Sequence, residues 1–229
     1  VQSLAVMPFD VKGSAEAEYL SDGLAEGLID GLSRLPRLKV LSRGTAFGFK
    51  GRTIDPHSIS RDFHVQRVVL GRLVEAGSQI DLEIDVVDGN DGRVWNSHYT
   101  DALAGLSGLQ DRIVRDVAAQ LHVDLAEAPV ARRHSSDSEA YQLYLRGRYL
   151  WNKRTEDGFT RGLDYFKQAL AKDPRYALAY AGIADCYNLL GIWGAMAPHE
   201  AMPKVKEAAL AAIAIDNTLA EAHTSLAFV

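Results

Sequence analysis

A glycine-rich segment near residue 50 carries the residue types that could bind phosphate. Within ten residues it contains Gly44, Gly48, Lys50, Gly51 and Thr53. Phosphate sites use consecutive free backbone N–H groups, with a lysine and a hydroxyl residue at fixed positions. Here a glycine directly follows the lysine, where the hydroxyl residue should be. The segment therefore predicts either a small-ligand or nucleotide site, or a turn-rich connection with solvated basic side chains.

Other reactive residue types do not form a recognisable catalytic or metal-binding set. The seven histidines are scattered, and none is spaced from another histidine or a cysteine as in zinc sites. The acidic turn at 88–92 lacks the alternating carboxylates and distal glutamate of a calcium loop. No nucleophile, base and oxyanion-binding group come together in one motif. We predict no catalytic residues, no metal, no cofactor and no enzyme activity for this chain.

Composition indicates a globular protein with a sizeable core. Of its 229 residues, 47% are hydrophobic and 24% charged. The net charge of -5 argues against a nucleic-acid-binding face, and no apolar run approaches the roughly 20 residues that span a bilayer. The lone Cys186 cannot form an internal disulfide and favours a reducing compartment. We expect a cytoplasmic location, or alternatively the periplasmic region of a membrane-anchored regulator, and we expect a piece of a longer protein.

The first 35 residues predict a buried strand and a tightly packed helix. Residues 3–9 are apolar and end near a proline. The helix that follows has three rows at intervals of four: leucines at 20, 24, 28 and 32, glycines at 23, 27 and 31, and acidic residues at 22, 26 and 30. The glycines cost helix propensity, so we expect their face to lie against a sheet or another helix. The acidic row predicts a solvent-exposed face.

Further elements predict a mixed five-stranded sheet with helices. A strand at 38–43, the glycine-rich loop and a short helix capped by Asp55 come first. A meander of strands follows at 65–76, 79–88 and 93–100. In its middle strand Ile80, Leu82, Ile84 and Val86 should point inward. An amphipathic helix in the segment 108–125 closes this α/β part.

The carboxy-terminal part repeats a pattern of small and large residues. Gly162, Phe166, Ala169 and Pro174 recur, shifted by 43 residues, as Val205, Ala209, Ala212 and Asn217. Each unit predicts two antiparallel helices with small side chains where they cross. A larger residue at such a crossing would overpack it.

This pattern resembles the tetratricopeptide repeat, with a HEAT-type repeat as the alternative. It departs from the family at Arg146 and Asn217 and in longer turns, including 189–204, and its third unit stops after one helix. Such stacks form a concave groove that binds a peptide or protein. The resemblance assigns to that groove the residues Tyr141, Tyr144, Arg148, Trp151, Asn152, Asp185 and Asn188. Alternatively, Tyr144 and Trp151 pack against the preceding domain.

Residues 1–124 resemble the TolB-like amino-terminal domain through an ordered set of motifs. These are AVMPF, YLSDGL, SRGTAFGFKG, VVLGRLV, VWNSHY and a closing LQDRI helix. The resemblance implies a sensing or docking role directly before tetratricopeptide repeats. In such proteins a winged-helix DNA-binding, nucleotide-cyclase or kinase domain lies upstream.

Together these patterns predict an α/β domain at 1–124, a linker at 125–138 and all-α repeats at 139–229. We expect a non-catalytic sensory or scaffold region of a bacterial regulator that binds a protein or peptide partner. The alternative is a small-ligand or nucleotide sensor with its site at residues 44–53. Self-association through the last helix, giving a homodimer, is a further possibility.

Overall fold

The chain divides into two compact units, Val1–Arg133 and His134–Val229. This computed structural model describes residues 2–13, 17–89, 92–123 and 134–229. Most of the predicted linker, 125–138, therefore lies outside the described residues, and the predicted domain limits stay predictions.

The first unit is built on a mixed sheet, which has six strands within the described residues. They are β1 (Gln2–Val6), β2 (Asp10–Lys12), β3 (Leu38–Val40), β4 (Arg67–Ala76), β5 (Gln79–Asp88) and β6 (Gly92–Ala102). The order is β3-β1-β4-β5-β6, with β2 also paired to β4. β1 is parallel to β3 and β4, whereas β4, β5 and β6 form the predicted antiparallel meander.

The predicted count of five strands is wrong because the opening segment contains two. The chain leaves the sheet after Val6 and rejoins β4 at Asp10, further along the same strand. β2 is only three residues long and reads DVK, which is too short for a pattern of alternation to predict it.

Two long helices pack together as the glycine row predicts. α1 (Ala17–Ser33) contacts α4 (Leu106–Gln120). A Cβ atom added at Gly31 would lie 2.7 Å from Val114 Cγ2, and one added at Gly27 would overlap the Gln110 side chain. The glycines therefore allow a close helix–helix approach, which confirms the predicted tight face.

The glycine-rich segment is partly helical, contrary to the prediction of a loop. α2 (Arg43–Phe47) is one short helix capped by the Ser42 side chain. The following helix, α3 (Pro56–Phe63), begins as predicted, because the Asp55 carboxylate accepts hydrogen bonds from the backbone N–H groups of His57 and Ser58. In β5 the predicted inward side chains of Ile80, Leu82, Ile84 and Val86 are all buried.

The second unit is all-α over its described residues. Its helices are α5 (Ser138–Trp151), α6 (Glu156–Lys172), α7 (Ala177–Ile192), α8 (Pro198–Ile215) and α9 (Ala220–Leu226). α5, α7 and α9 lie side by side, α6 packs on α5 and α7, and α8 packs on α7 and α9. The turn predicted at 189–204 is mostly helical, since α7 extends to Ile192 and α8 starts at Pro198.

Small residues mark the helix crossings of this unit. The Phe166 ring is fully buried and lies between Gly147 of α5 and Gly182 of α7. An added Cβ at either glycine would be 2.6 Å from a ring carbon of Phe166. Ala169 and Ala184 are also fully buried. Among the helices described, none is both long enough and apolar enough to cross a membrane.

Candidate functional site

A polar cluster joins the three helices that lie side by side in the second unit. We define it as Arg148, Trp151, Asp185, Asn188 and Ser225. Arg148 Nη1 lies 3.5 Å from Asp185 Oδ2, and the Ser225 hydroxyl donates to Asp185 Oδ1 at 2.5 Å. The Asn188 side-chain amide donates to the backbone carbonyl of Ser225 at 3.2 Å. The cluster thus connects α5 to α7 and α7 to α9 through polar side chains.

Asp185 is the acceptor at the centre of this cluster. The side chains of Arg148 and Asp185 are each 17% exposed. Burial raises the pKa of Asp185 above its ordinary value, while the Arg148 charge and the Ser225 hydroxyl act in the opposite direction. The ion pair is therefore a partly desolvated link between helices.

Two arginine guanidinium groups lie against the indole ring of Trp151. The Cζ atoms of Arg148 and Arg154 lie 4.6 and 3.8 Å from the ring centroid, within the range of cation–π contacts. Arg154 is exposed and has a left-handed backbone conformation, with φ of 54°. The buried Nε1 atom of Trp151 has no hydrogen-bond partner among the described residues. Asn152, at the end of α5, is partly exposed.

The two tyrosines predicted to line the groove pack inside their own unit. Tyr141 is 1% exposed and its ring lies 4.9 Å from that of His134. The ring of Tyr144 lies 5.1 Å from Tyr176 and 5.8 Å from Phe166. The burial of Tyr141 does not fit its predicted place on a partner-binding surface. The buried Asn188, which is 5% exposed, likewise offers little area to a partner.

The predicted phosphate segment does not have free amide groups at its centre. The backbone N–H groups of Gly48, Phe49, Lys50 and Arg52 each donate to a carbonyl three residues earlier. A phosphate cradle needs those donors to converge on the anion. Gly44 and Gly51 face open space, Gly51 with a positive φ, and Thr53 is exposed.

Lys50 is also paired with carboxylates instead of being available for an anion. Its Nζ atom lies 2.7 Å from Asp22 Oδ2 and 3.6 Å from Glu18 Oε2. Arg43 Nε lies 3.0 Å from Glu26 Oε2. These carboxylates would repel phosphate, so the geometry does not support a nucleotide site at residues 44–53. The prediction that the acidic row of α1 is exposed to solvent is wrong at Asp22, which is only 6% exposed.

Sequence reasoning missed Ser225, a member of the cluster, and Arg154, which contacts Trp151. Arg154 follows the last residues of α5, where its backbone conformation could not be predicted. Ser225 falls in the third unit at helical spacing, but nothing in its residue type indicates a contact with Asp185. Among the described residues, no three of the His, Cys, Asp and Glu side chains lie together as metal ligands would.

Curated proteins similar to this chain are regulators or carry a cyclase name. "Putative adenylate cyclase 3" of Rhizobium meliloti is 29% identical over 232 residues, covering 98% of this chain and 39% of that protein. "Transcriptional regulator HilA" of Salmonella typhimurium is 22% identical over 227 residues, covering 94% of this chain and 38% of that protein. The chain therefore spans about two fifths of the length of these relatives.

Solved structures are similar to part of the chain. TolB from Acinetobacter baumannii has a TM-score of 0.40 at 14% identity, covering 53% of this chain and 28% of that one. Lipoprotein GNA1162 from Neisseria meningitidis has a TM-score of 0.39 at 18% identity, covering 55% of this chain and 99% of that one.

A family model places the chain among regulators. The model is described as "HilA/YgeH-like transcriptional regulator, second domain" and matches residues 1–116. It describes a regulator domain and not a catalytic one. Because the match extends over more than half of the residues, this chain belongs to the HilA/YgeH-like family of transcriptional regulators and contains their second domain.

Proposed function

We propose that the chain is the sensory or scaffold region of a bacterial signalling or transcriptional regulator, and that its helical unit binds a protein or peptide partner. The family of residues 1–116 supports a regulatory role. The longer relatives leave room for an output domain elsewhere, because this chain covers only 39% and 38% of their lengths. We propose that this output is transcription or cyclic-nucleotide synthesis. We also propose that the protein is cytoplasmic.

The helical unit is, in our proposal, a stack of tetratricopeptide-type repeats. Three features support it. Helices alternate between two layers along the chain, the second helix of the first pair ends just before Pro174, and a large ring meets glycines at the crossing. α9 then corresponds to the first helix of a third unit.

The observation that carries partner binding is the polar cluster, which links α5, α7 and α9. Tryptophan and arginine are the residue types that most often anchor a protein partner. Here two guanidinium groups lie against the Trp151 ring, and Arg148 is paired with Asp185. Side chains already fixed in place lose less conformational entropy on binding. Directly after Trp151 in the chain, Asn152 is partly exposed and Arg154 is exposed.

The test uses a full-length regulator that contains this region, with a photoreactive amino acid placed at position 152 or, as a control, at 161. Arg161 is exposed on α6, in the other helix layer. We expect one protein to cross-link specifically from position 152. That protein is then purified, and its affinity is measured by titration calorimetry.

Arg154→Ala and Trp151→Ala should weaken this affinity by about tenfold or more, as for anchor residues, whereas Arg161→Ala should not change it. Arg154 is exposed, so its variant separates loss of binding from loss of folding. Equal cross-linking from both positions, or unchanged affinity in the Arg154 variant, would contradict the proposal.

A further inference from the structure

Four sequence motifs of the first unit meet at the break between β1 and β2. The Phe9 ring lies directly over Gly71 of β4, where a Cβ atom would overlap it. The Ser21 hydroxyl of α1 donates to the Phe9 carbonyl at 2.9 Å. Beside it, Asp22 forms the ion pair with Lys50. At this break, contacts therefore join the segment after β1, helix α1, strand β4 and the segment after α2.

Two cavities open at this break, with volumes of about 310 and 440 Å³. They share the lining residues Pro8, Asp10, Gly51, Arg52 and Ile54. These volumes suit a small ligand. The cavities also lie beyond the carboxyl end of β1, which is parallel to both of its neighbours, and such ends are where open α/β sheets bind ligands. We call the smaller cavity the Asp22 cleft.

Asp22 lines this cleft and has one unsatisfied acceptor atom. It is 6% exposed and lines the cavity. Its Oδ2 atom accepts from Lys50, whereas the buried Oδ1 atom has no hydrogen-bond partner among the described residues. Burial raises the pKa of Asp22 in spite of the nearby Lys50 charge. A bound donor would satisfy Oδ1 and stabilise the ionised carboxylate.

The charges around the cleft favour a cation over an anion. Three carboxylates line it, those of Asp10, Glu18 and Asp22, and its two basic residues are Lys50 and Arg52. Lys50 is engaged by two of those carboxylates. The charge that remains to meet a ligand is therefore negative.

From the unsatisfied Asp22 Oδ1 atom and the acidic lining, we propose that the Asp22 cleft binds a small organic cation, whose protonated amine or guanidinium group donates to that atom. The ligand would bridge α1 to the segment that follows α2. Binding would thereby hold this segment on the helix, which gives the α/β unit a means of sensing a metabolite.

The test titrates the whole chain with agmatine, which carries both an amine and a guanidinium group, and with putrescine. 1,4-Butanediol serves as the neutral probe of similar length, and inorganic phosphate as the anion. We expect calorimetry to detect agmatine or putrescine, but neither 1,4-butanediol nor phosphate. In ¹⁵N–¹H NMR spectra, agmatine should shift the amide signals of residues 9–10, 21–22 and 50–54.

Asp22→Asn should weaken agmatine binding by about tenfold or more, since it removes a charge-assisted hydrogen bond. Asp164→Asn makes the same change of charge at an exposed position of α6 and should not alter binding. The NMR map in the unmodified chain keeps the proposal testable if the Asp22 variant fails to fold. Absence of binding by both cations, shifts outside the cleft, or a preference for phosphate would overturn it.

Discussion

At the scale of single residues, the packing of the Phe166 ring requires glycine at position 147 of α5 and at position 182 of α7. Gly182→Ala would place a Cβ atom 2.6 Å from the ring, which is fully buried and has little room to move. We expect a net destabilisation of about 1–2 kcal/mol, because overpacking outweighs the gain in helix propensity. Urea denaturation followed by circular dichroism measures it.

Gly108→Ala in α4 is the matched control for this prediction. An added Cβ there meets no atom within 4 Å, so only helix propensity changes and stability should rise by up to about 1 kcal/mol. Equal effects of the two substitutions would show that Phe166 is not closely packed.

Asp185 makes the stability of the helical unit depend on pH. Burial raises the pKa of the Asp185 carboxyl above 3.8 in the folded state. The folded chain therefore binds a proton at Asp185 more tightly than the unfolded chain does. Its contribution to the free energy of unfolding is therefore greatest below pH 3.8 and falls as the pH rises through the raised pKa. As the pH rises from 3.8 through the raised pKa, the free energy of unfolding should fall less in the Asp185→Asn variant than in the unmodified chain. Parallel pH profiles would contradict this account of Asp185.

At the scale of elements, the segment after β3 is fastened to α1 by ion pairs of two basic side chains. Lys50→Met would leave the buried Asp22 carboxylate without this partner. The Lys50 side chain is 38% exposed, so solvent screens the pair. We expect a loss of about 1–2 kcal/mol in the free energy of unfolding, measured by urea denaturation.

The comparison for Lys50 is Arg61→Met, which removes an ion pair at the surface. Arg61 and Asp62 are 74% and 56% exposed, and such pairs contribute little. This variant should stay within about 0.5 kcal/mol of the unmodified chain. A similar loss in both variants would mean that the Lys50 contact does not stabilise the fold.

The sequence predicted correctly those features that depend on residues close together in the chain. The Asp55 cap of α3 and the alternation of β5 depend on neighbouring residues, and the structure confirms both. Asp22 was predicted to face solvent because its helix row is acidic, yet a segment 28 residues away covers it. Such contacts between distant segments leave no periodic signal in the sequence.

At the scale of the whole molecule, the division into two units has a direct test. We expect fragments 1–123 and 134–229 to fold separately, since each unit has its own buried core. The second fragment should give a purely helical circular dichroism spectrum, and the melting temperatures should match the transitions of the whole chain. A fragment that is unfolded alone would show that the units depend on each other.

Because Phe166 of α6 packs against both α5 and α7, none of these three helices can separate without exposing its ring. Linear helical arrays often open one pair at a time, but here the loss of any one of the three exposes the same ring. Opening should therefore begin at α9, and amide hydrogen exchange should be slower in α5, α6 and α7 than in α9. α5, α6 and α7 then form one cooperative block, so Arg148, Trp151 and Asp185 stay in place together after Ser225 of α9 has been released.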